Sequence, residues 1–369
     1  MGAKPGLHLG LMSGTSLDGV DAALVETDGE GVARPGASLT VPYDMGLRTR
    51  LRALLDRAET LARDDLELAE AERALTDRHA EAVAALLDRA GVAAREVVAL
   101  GFHGQTILHR PERRLTWQIG DASRLARATG IPVVHDFRSA DVAAGGQGAP
   151  FVPLWHAALS GGLERPLAVL NLGGVGNVTW IGADGTVIAC DTGPGNGPLD
   201  DWVAARAGVA YDAGGRIAAA GTVSIAVLAR LMAHPFFAVP PPKSLDRLDF
   251  AAAIARSGLA SLPVADGAAT LVAFTAASVA AVRGHLPEAP RRWLVTGGGR
   301  HNPAIMAALG AALGVTVDPV EAVGWDGDAM EAQAFAYLAA RSLRGLPLSL
   351  PSTTGVPRPM PGGRITRPE

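Results

Sequence analysis

Cysteine occurs once and lysine twice in these 369 residues, and each scarcity closes off a class of protein. A single thiol, Cys190, cannot form an intramolecular disulfide, so no disulfide framework is available and a reducing, cytoplasmic setting is expected. The opening Met1-Gly2-Ala3-Lys4-Pro5 reads as too short and polar for a secretory signal. Lys243 follows prolines rather than a glycine, which leaves no place for a Gly-Lys-Ser/Thr phosphate loop. Also missing are His-Glu-x-x-His, Gly-x-Ser-x-Gly, Gly-x-Gly-x-x-Gly and Cys-x-x-Cys, so zincins, α/β-hydrolases and simple dinucleotide folds lose their usual support. The best uncharged apolar stretch, 267–282, falls short of the about 18 to 20 residues that span a bilayer. A formal net charge of −4 gives no electrostatic grip on nucleic acid. Neither a membrane nor a nucleic acid is an expected partner.

What the chain does have is apolar residues, 48% of the total, and length enough for two domains at roughly 100 to 200 residues each. Leu7 to Met12 and Val20 to Val25 are apolar runs around Ser13-Gly14-Thr15-Ser16-Leu17-Asp18-Gly19, the pattern of a β-hairpin with a small-residue turn. Apolar residues then recur at three- and four-residue spacing over 47–61 and 66–90, predicting two amphipathic helices, the second stopped by Gly91. Val97 to Phe102 reads as a buried strand running into His103-Gly104-Gln105-Thr106, and Ile131 to Val134 as another ending at His135-Asp136-Phe137-Arg138. A second glycine-rich hairpin follows a loop: Leu167 to Leu172, a turn through Gly173-Gly174-Val175-Gly176-Asn177, and Val178 to Ile181. A third strand, Thr186 to Cys190, leads into Asp191-Thr192-Gly193-Pro194-Gly195-Asn196, with a helix beginning near Pro198. The remainder is expected to be mostly helical, broken by Trp293 to Thr296 and Gly297-Gly298-Gly299-Arg300, after which Asn302-Pro303 caps a further helix. Each half thus opens on strand, glycine-rich turn, strand, which reads as a duplicated α/β domain.

Two such turns in matching places can each point backbone N–H groups into a concavity that holds an oxyanion, because glycine lets main chain approach without a Cβ. Asp18, Asp21 and Asp191 lie beside those glycines, where carboxylates suit a cation or a proton donor. Asp191 follows a strand and precedes a glycine-proline loop entering a helix, a good position for a general base. Glu331, early in the helix predicted over 328–344, is either solvated or turned toward a ligand, and the pattern leaves that open.

The segments Gly10 to Asp21, His103 to Thr106, Gln118 to Asp121, Asp136 to Arg138, Gly145 to Pro150, Asn171 to Asn177, Asp191 to Asn196, Thr296 to Gly299 and Glu331-Ala332 together resemble a known family. It is that of anhydro-N-acetylmuramic acid kinase, within the actin, sugar kinase and Hsp70 ATPase superfamily. The resemblance implies two duplicated actin-like (ribonuclease H-like) lobes with a central cleft: an N-terminal lobe over 1–160, with 346–369 packing back on it, and a C-terminal lobe over 161–345. It implies an ATP- and Mg²⁺-dependent kinase of cell-wall recycling that opens the 1,6-anhydro bridge with water and phosphorylates O6. Asp191 would activate the water; Thr106, Arg138, Glu331 and His103 would hold the sugar. Gly14, Thr15, Ser16, Leu17, Asp18, Gly19, Val20 and Asp21 would form the phosphate site with Gly174, Gly176 and Asn177, Asp18 would reach the Mg²⁺, and Gly297, Gly298 and Gly299 would serve the adenosine. A homodimer would be usual. A different sugar kinase, or a chaperone-like ATPase, remains the alternative at this stage. The chain departs from the family's Pro-Pro-Lys-Ser-Thr-Gly-Arg-Glu at Pro241 to Leu248, keeping Lys243 and Arg247.

Overall fold

The structure, a computed structural model, describes residues 4–14, 16–245 and 250–369. The chain forms two compact units, Met1–Gly162 with Asp328–Glu369, and Leu163–Gly327.

In the first unit, β1 (Gly6–Ser13), β2 (Gly19–Thr27) and β3 (Ala33–Pro42) form an antiparallel meander. β4 (Val97–Arg110) runs parallel to β1, β5 (Leu115–Ile119) folds back on β4, and β6 (Val133–His135) runs parallel to β4. Strand Arg364–Thr366 closes the edge beside β6. Alternation along β1 sorts the two faces. Leu9 and Leu11 look into a core covered by the helices Met45–Asp56 and Leu66–Ala90, while Met12 faces the helix Met330–Leu343. Both covering helices are capped as their sequences dictate: Asp44 and Asp65 accept from Leu47 and Leu68, and Gly91 ends the second at φ 64°.

The second unit repeats the plan. β7 (Leu167–Leu172), β8 (Val175–Ile181) and β9 (Val187–Pro194) form the meander, and β10 (Arg292–Thr296) and β11 (Thr316–Pro319) continue it in parallel. The order β9-β8-β7-β10-β11 matches β3-β2-β1-β4-β6 strand for strand, the ribonuclease H-like order expected of a duplicated α/β fold. Its core helix, Val264–Ala281, with the turn to His285, is long and apolar enough by composition to cross a membrane, more than the uncharged stretch 267–282 suggested. Most of it is buried within this unit, with Gly267 lying against the Trp202 ring.

The domain boundary differs from expectation. Residues 328–345, assigned by sequence to the C-terminal lobe, belong to the first unit. The reason lies in two glycines paired across β1 and β4, Gly10 and Gly101. A Cβ on Gly10 would stand 1.8 Å from the Ala332 carbonyl oxygen, and one on Gly101 2.0 Å from that of Phe335, so the two leave a floor on which the helix Met330–Leu343 rests. Strands β3, β5, β11 and Arg364–Thr366, absent from the sequence reading, complete the sheets.

Candidate functional site

The β1–β2 turn is tied by the Leu17 amide donating to the Gly14 carbonyl at 3.1 Å. Leu17 holds a left-handed φ of 58°, a strain offset by full burial of its side chain. Around Gly14 the space is open: a Cβ would meet only Ser16, at 3.6 Å from Oγ. Gly19 is a glycine for another reason, since its Cβ would lie 2.4 Å from the Val41 carbonyl oxygen. Val20 is core, Asp21 accepts from the Thr40 hydroxyl at 2.6 Å, and Thr15 lies outside the described residues. Asp18 is exposed and meets Arg48 at 3.3 Å. Among the described residues no cluster of three His, Cys, Asp or Glu could hold a metal. A single exposed carboxylate fits a Mg²⁺ held mainly by phosphate oxygens and water, and does not make a protein-built cage.

Beyond this turn, a polar group forms around Arg138. Its Nε donates to His103 Nε2 at 3.1 Å and its Nη1 to the Gly148 carbonyl at 2.5 Å, with the guanidinium 5.5 Å from the centre of the Phe151 ring. His103 Nδ1 therefore carries the proton and donates to its neighbour's carbonyl, Gly104, at 2.7 Å. Burial first, and Arg138 second, hold the His103 imidazole neutral, well below its usual range. Both ring nitrogens of His103 are thus engaged within the protein, and it reaches a ligand only through Arg138. Burial lowers Arg138 to about 10, against which Glu331 and Asp141 act, so it stays cationic at neutral pH. Burial likewise raises Glu331, with Arg138 opposing and Asp21 adding to the rise. Thr106, next along β4, accepts from Gln118 Nε2 at 3.2 Å. Beneath these residues Ser13 donates to Gln105 Oε1 at 2.6 Å and accepts from Tyr43. That buried trio ties β1, β4 and the loop after β3 together. Gln105 stood inside a motif singled out by sequence, yet nothing in the pattern separated its structural role from its neighbours' roles.

In the second unit three glycine segments converge on Asn196. The Gly195, Asn196 and Gly197 amides donate to the carbonyls of Gly174, Gly173 and Gly174 at 3.0, 2.7 and 3.3 Å. These amides at the helix entrance are therefore spent inside the protein, and the open surface lies instead at Gly174, whose Cβ would meet nothing within 4 Å. Asn196 Nδ2 donates to the Leu172 carbonyl, while its Oδ1, buried and without a hydrogen-bond partner among the described residues, would lie 2.6 Å from a Cβ on Gly299. Gly297, at φ 75°, has Asn171 Oδ1 where a Cβ would be, at 2.3 Å. Gly298 keeps a looser environment, with Asn196 Nδ2 3.4 Å from its Cβ position. A bulge pairs Gly176 with Gly193 and Asn177 with Asp191, leaving Thr192 as the extra residue. Its hydroxyl is buried without a hydrogen-bond partner among the described residues. Sequence reasoning had assigned no role to Asn196 or Thr192, although both stand in the segment that drew attention.

Asp191, half-buried, accepts through Oδ2 from the Leu245 amide at 2.7 Å, and its own amide donates to the Lys243 carbonyl at 2.9 Å. Oδ1 has no hydrogen-bond partner among the described residues. Burial pushes the Asp191 carboxyl up to about 7, with the Leu245 amide and the Lys243 charge opposing. One oxygen held, the other open and poised near neutrality, is what a general base requires.

Comparison with known proteins bears on what these groups serve. The family profile of anhydro-N-acetylmuramic acid kinase matches residues 6–368. The chain is 64% identical over 360 residues to an anhydro-N-acetylmuramic acid kinase of Acidiphilium cryptum, covering 98% of each chain. It is 59% identical over 356 residues to one from Rhodospirillum rubrum, covering 96% of this chain and 92% of that one. Among solved structures, a ROK family glucokinase from Streptomyces griseus in complex with glucose and AMPPNP aligns with a TM-score of 0.44 at 15% identity, covering 90% of this chain and 99% of that one. On the profile match and these identities, the chain belongs to the anhydro-N-acetylmuramic acid kinase family.

Proposed function

We propose that the protein converts 1,6-anhydro-N-acetylmuramic acid, ATP and water into N-acetylmuramic acid 6-phosphate and ADP. The observation that carries the reading is Asp191, a carboxylate with one oxygen fixed and one open, within a chain of this family from end to end. Asp191 Oδ1 takes a proton from water as the water oxygen bonds to C1. The C1–O6 bond breaks, and O6 attacks the γ-phosphorus as the bond to ADP breaks. The proton on Asp191 then passes to solvent. Arg138 presents Nη2, free among the described residues, to the lactyl carboxylate, and His103 fixes the plane of that fork. Thr106 and Glu331 offer hydrogen-bonding oxygens to the sugar. In the first unit the turn residues Gly14 to Asp18 receive phosphate oxygens; in the second, Gly174 with Gly176 and Asn177 of β8 receives phosphate oxygens and Gly297 to Gly299 receive the adenosine. Mg²⁺ on the phosphates, reached by Asp18, would neutralise charge that builds on them.

An ADP-release assay with the anhydro sugar against glucose and N-acetylglucosamine tests the substrate. Reaction in H₂¹⁸O, sampled promptly, should place label on the anomeric hydroxyl, first as the α anomer because attack opposite the departing oxygen inverts C1. Label in phosphate beside an intact bridge would reduce the chemistry to ATP hydrolysis.

A further inference from the structure

The chain contains two lysines, and one of them is nine-tenths buried with its backbone bonded to that of Asp191. Lys243 ends the run Pro240-Pro241-Pro242 and is 9% exposed. Its ammonium donates to the Phe236 carbonyl at 3.0 Å and sits 4.3 Å from the centre of the Phe236 ring. Phe236 stacks edge-on against Phe237 and Phe250, and both pack on Phe274 of the core helix. A buried ammonium is costly unless paired and hydrogen-bonded. Here it has a carbonyl, a ring face and, among the described residues, no carboxylate within contact distance.

Its backbone, however, is bonded to Asp191. The Asp191 amide donates to the Lys243 carbonyl, and two residues on, the Leu245 amide donates to Asp191 Oδ2. Residues 243–245 therefore lie alongside β9 as a strap that grips the base by its main chain and by one carboxylate oxygen. We propose that Lys243 is the positioning residue for Asp191: pinned on Phe236, it fixes the strap and brings a positive charge to the neighbourhood of the carboxylate without touching it.

The surroundings leave that charge without a rival among the described residues. On β9 the neighbouring Cys190 thiol is pushed up to about 12 by burial and is neutral. Across the sheet Asn177 faces Asp191 in register, and it is uncharged. Ser278 and Phe274 come from the core helix against this strand, and the Phe236–Phe237 turn is held by His285, whose Nε2 bonds the Phe237 carbonyl. Lys243 is the charge that opposes the effect of burial on Asp191. An opposite charge in such a setting shifts a carboxyl by about one pH unit or more.

The inference rests on Asp191 being the base, and the test keeps the two apart. In the full-length enzyme, kcat/KM for the anhydro sugar is measured against pH for wild type, K243M, K243R and D191N, alongside calorimetric affinity for a non-hydrolysable ATP analogue. K243M should move the acid limb about one unit toward alkaline pH, costing about tenfold near pH 6 and recovering as pH rises, with nucleotide affinity within about twofold of wild type. K243R, which keeps the charge, should keep the wild-type limb. Should K243M lose its thermal transition, K243Q carries the same test, because its amide still donates to the Phe236 carbonyl without the charge. A limb that stays in place in the charge-removing variant, whether the rate falls evenly or not at all, would overturn the proposal. D191N retaining turnover would overturn the base assignment itself, and this proposal with it.

Discussion

Asp191 carries a conflict within one side chain, because the burial that makes it basic also makes its ionised form expensive. Its folded value of about 7 lies above the 3.8 of an ordinary aspartate. A carboxyl raised in this way costs no stability below about pH 3.8, where both states are neutral. The cost grows as pH rises and levels off above the folded value of about 7. Asp191→Asn should therefore melt later than wild type at pH 8, and the gain should shrink toward zero as pH falls below about 4. The same variant should lose turnover by about 10² to 10⁴ with nucleotide binding retained. Calorimetric melts across pH and ADP-release rates read the two effects. A variant that gained nothing at pH 8 would show that the buried carboxyl is not strained. Arg138 poses the complementary case. Its Nε and Nη1 are committed to His103 and Gly148, and lysine cannot both make those bonds and present a free donor edge. Arg138→Lys should raise KM for the sugar by about 10- to 100-fold, the worth of charged hydrogen bonds, with KM for ATP unmoved. Equal loss for both substrates would mean that Arg138 supports the fold and not the sugar.

Glycines of opposite purpose stand four residues apart at the level of the β1–β2 hairpin. Gly10 lies under the helix Met330–Leu343, and even one methyl group would collide with the Ala332 carbonyl. Gly10→Ala should cost about 3 kcal/mol, the upper range for overpacking. Gly14 borders open space, so Gly14→Val should leave stability nearly unchanged while filling the concavity that phosphates would enter. Denaturant melts of both variants and calorimetry with an ATP analogue separate the roles; unaltered nucleotide affinity in Gly14→Val would make that turn a hairpin and nothing more. Sequence could not tell these glycines apart, because what distinguishes them is a helix over three hundred residues away. Other misses have local causes. Near its start β3 carries Arg34-Pro35-Gly36, which reads as a turn and hides an edge strand, although Ala37, Leu39 and Val41 alternate with Ser38 and Thr40 and pack on the core. β5 follows Arg114, which turns the chain at φ 53° without the glycine that usually announces a hairpin. Both glycine-rich hairpins, in contrast, were legible, since apolar runs flank small-residue turns. Asp191 drew notice by sequence as following a strand that ends at Cys190, whereas β9 runs on through it to Pro194 past the bulge at Thr192; its strap was not legible, because Leu245 contributes only a backbone amide.

At the scale of the whole molecule, the path of the chain sets what can fold by itself. The second unit is one continuous stretch, Leu163–Gly327, with its own five-stranded sheet and a core built on the helix Val264–Ala281. The first unit is interrupted and depends on residues that follow the second. The helix Met330–Leu343 covers the Gly10–Gly101 floor and buries Met12, Ala23, Ala99 and Val134. Farther on, Ser349 and Thr354 donate to the buried carboxylate of Asp141, and Arg364–Thr366 covers the edge of β6. Without residues 328–369, residues 1–162 would expose an apolar sheet face and leave Asp141 short of two of its donors. Residues 163–327 expressed alone should therefore give a single cooperative thermal transition with native-like near-UV circular dichroism. Residues 1–162 alone should aggregate or melt without cooperativity, and joining 328–369 to them through a short flexible linker should restore a sharp transition. Amide exchange gives the same comparison residue by residue, with protection of β1 and β4 appearing only when the helix is present. A cooperative melt from 1–162 by itself, or a molten 163–327, would show that the cores are not partitioned as the chain path indicates.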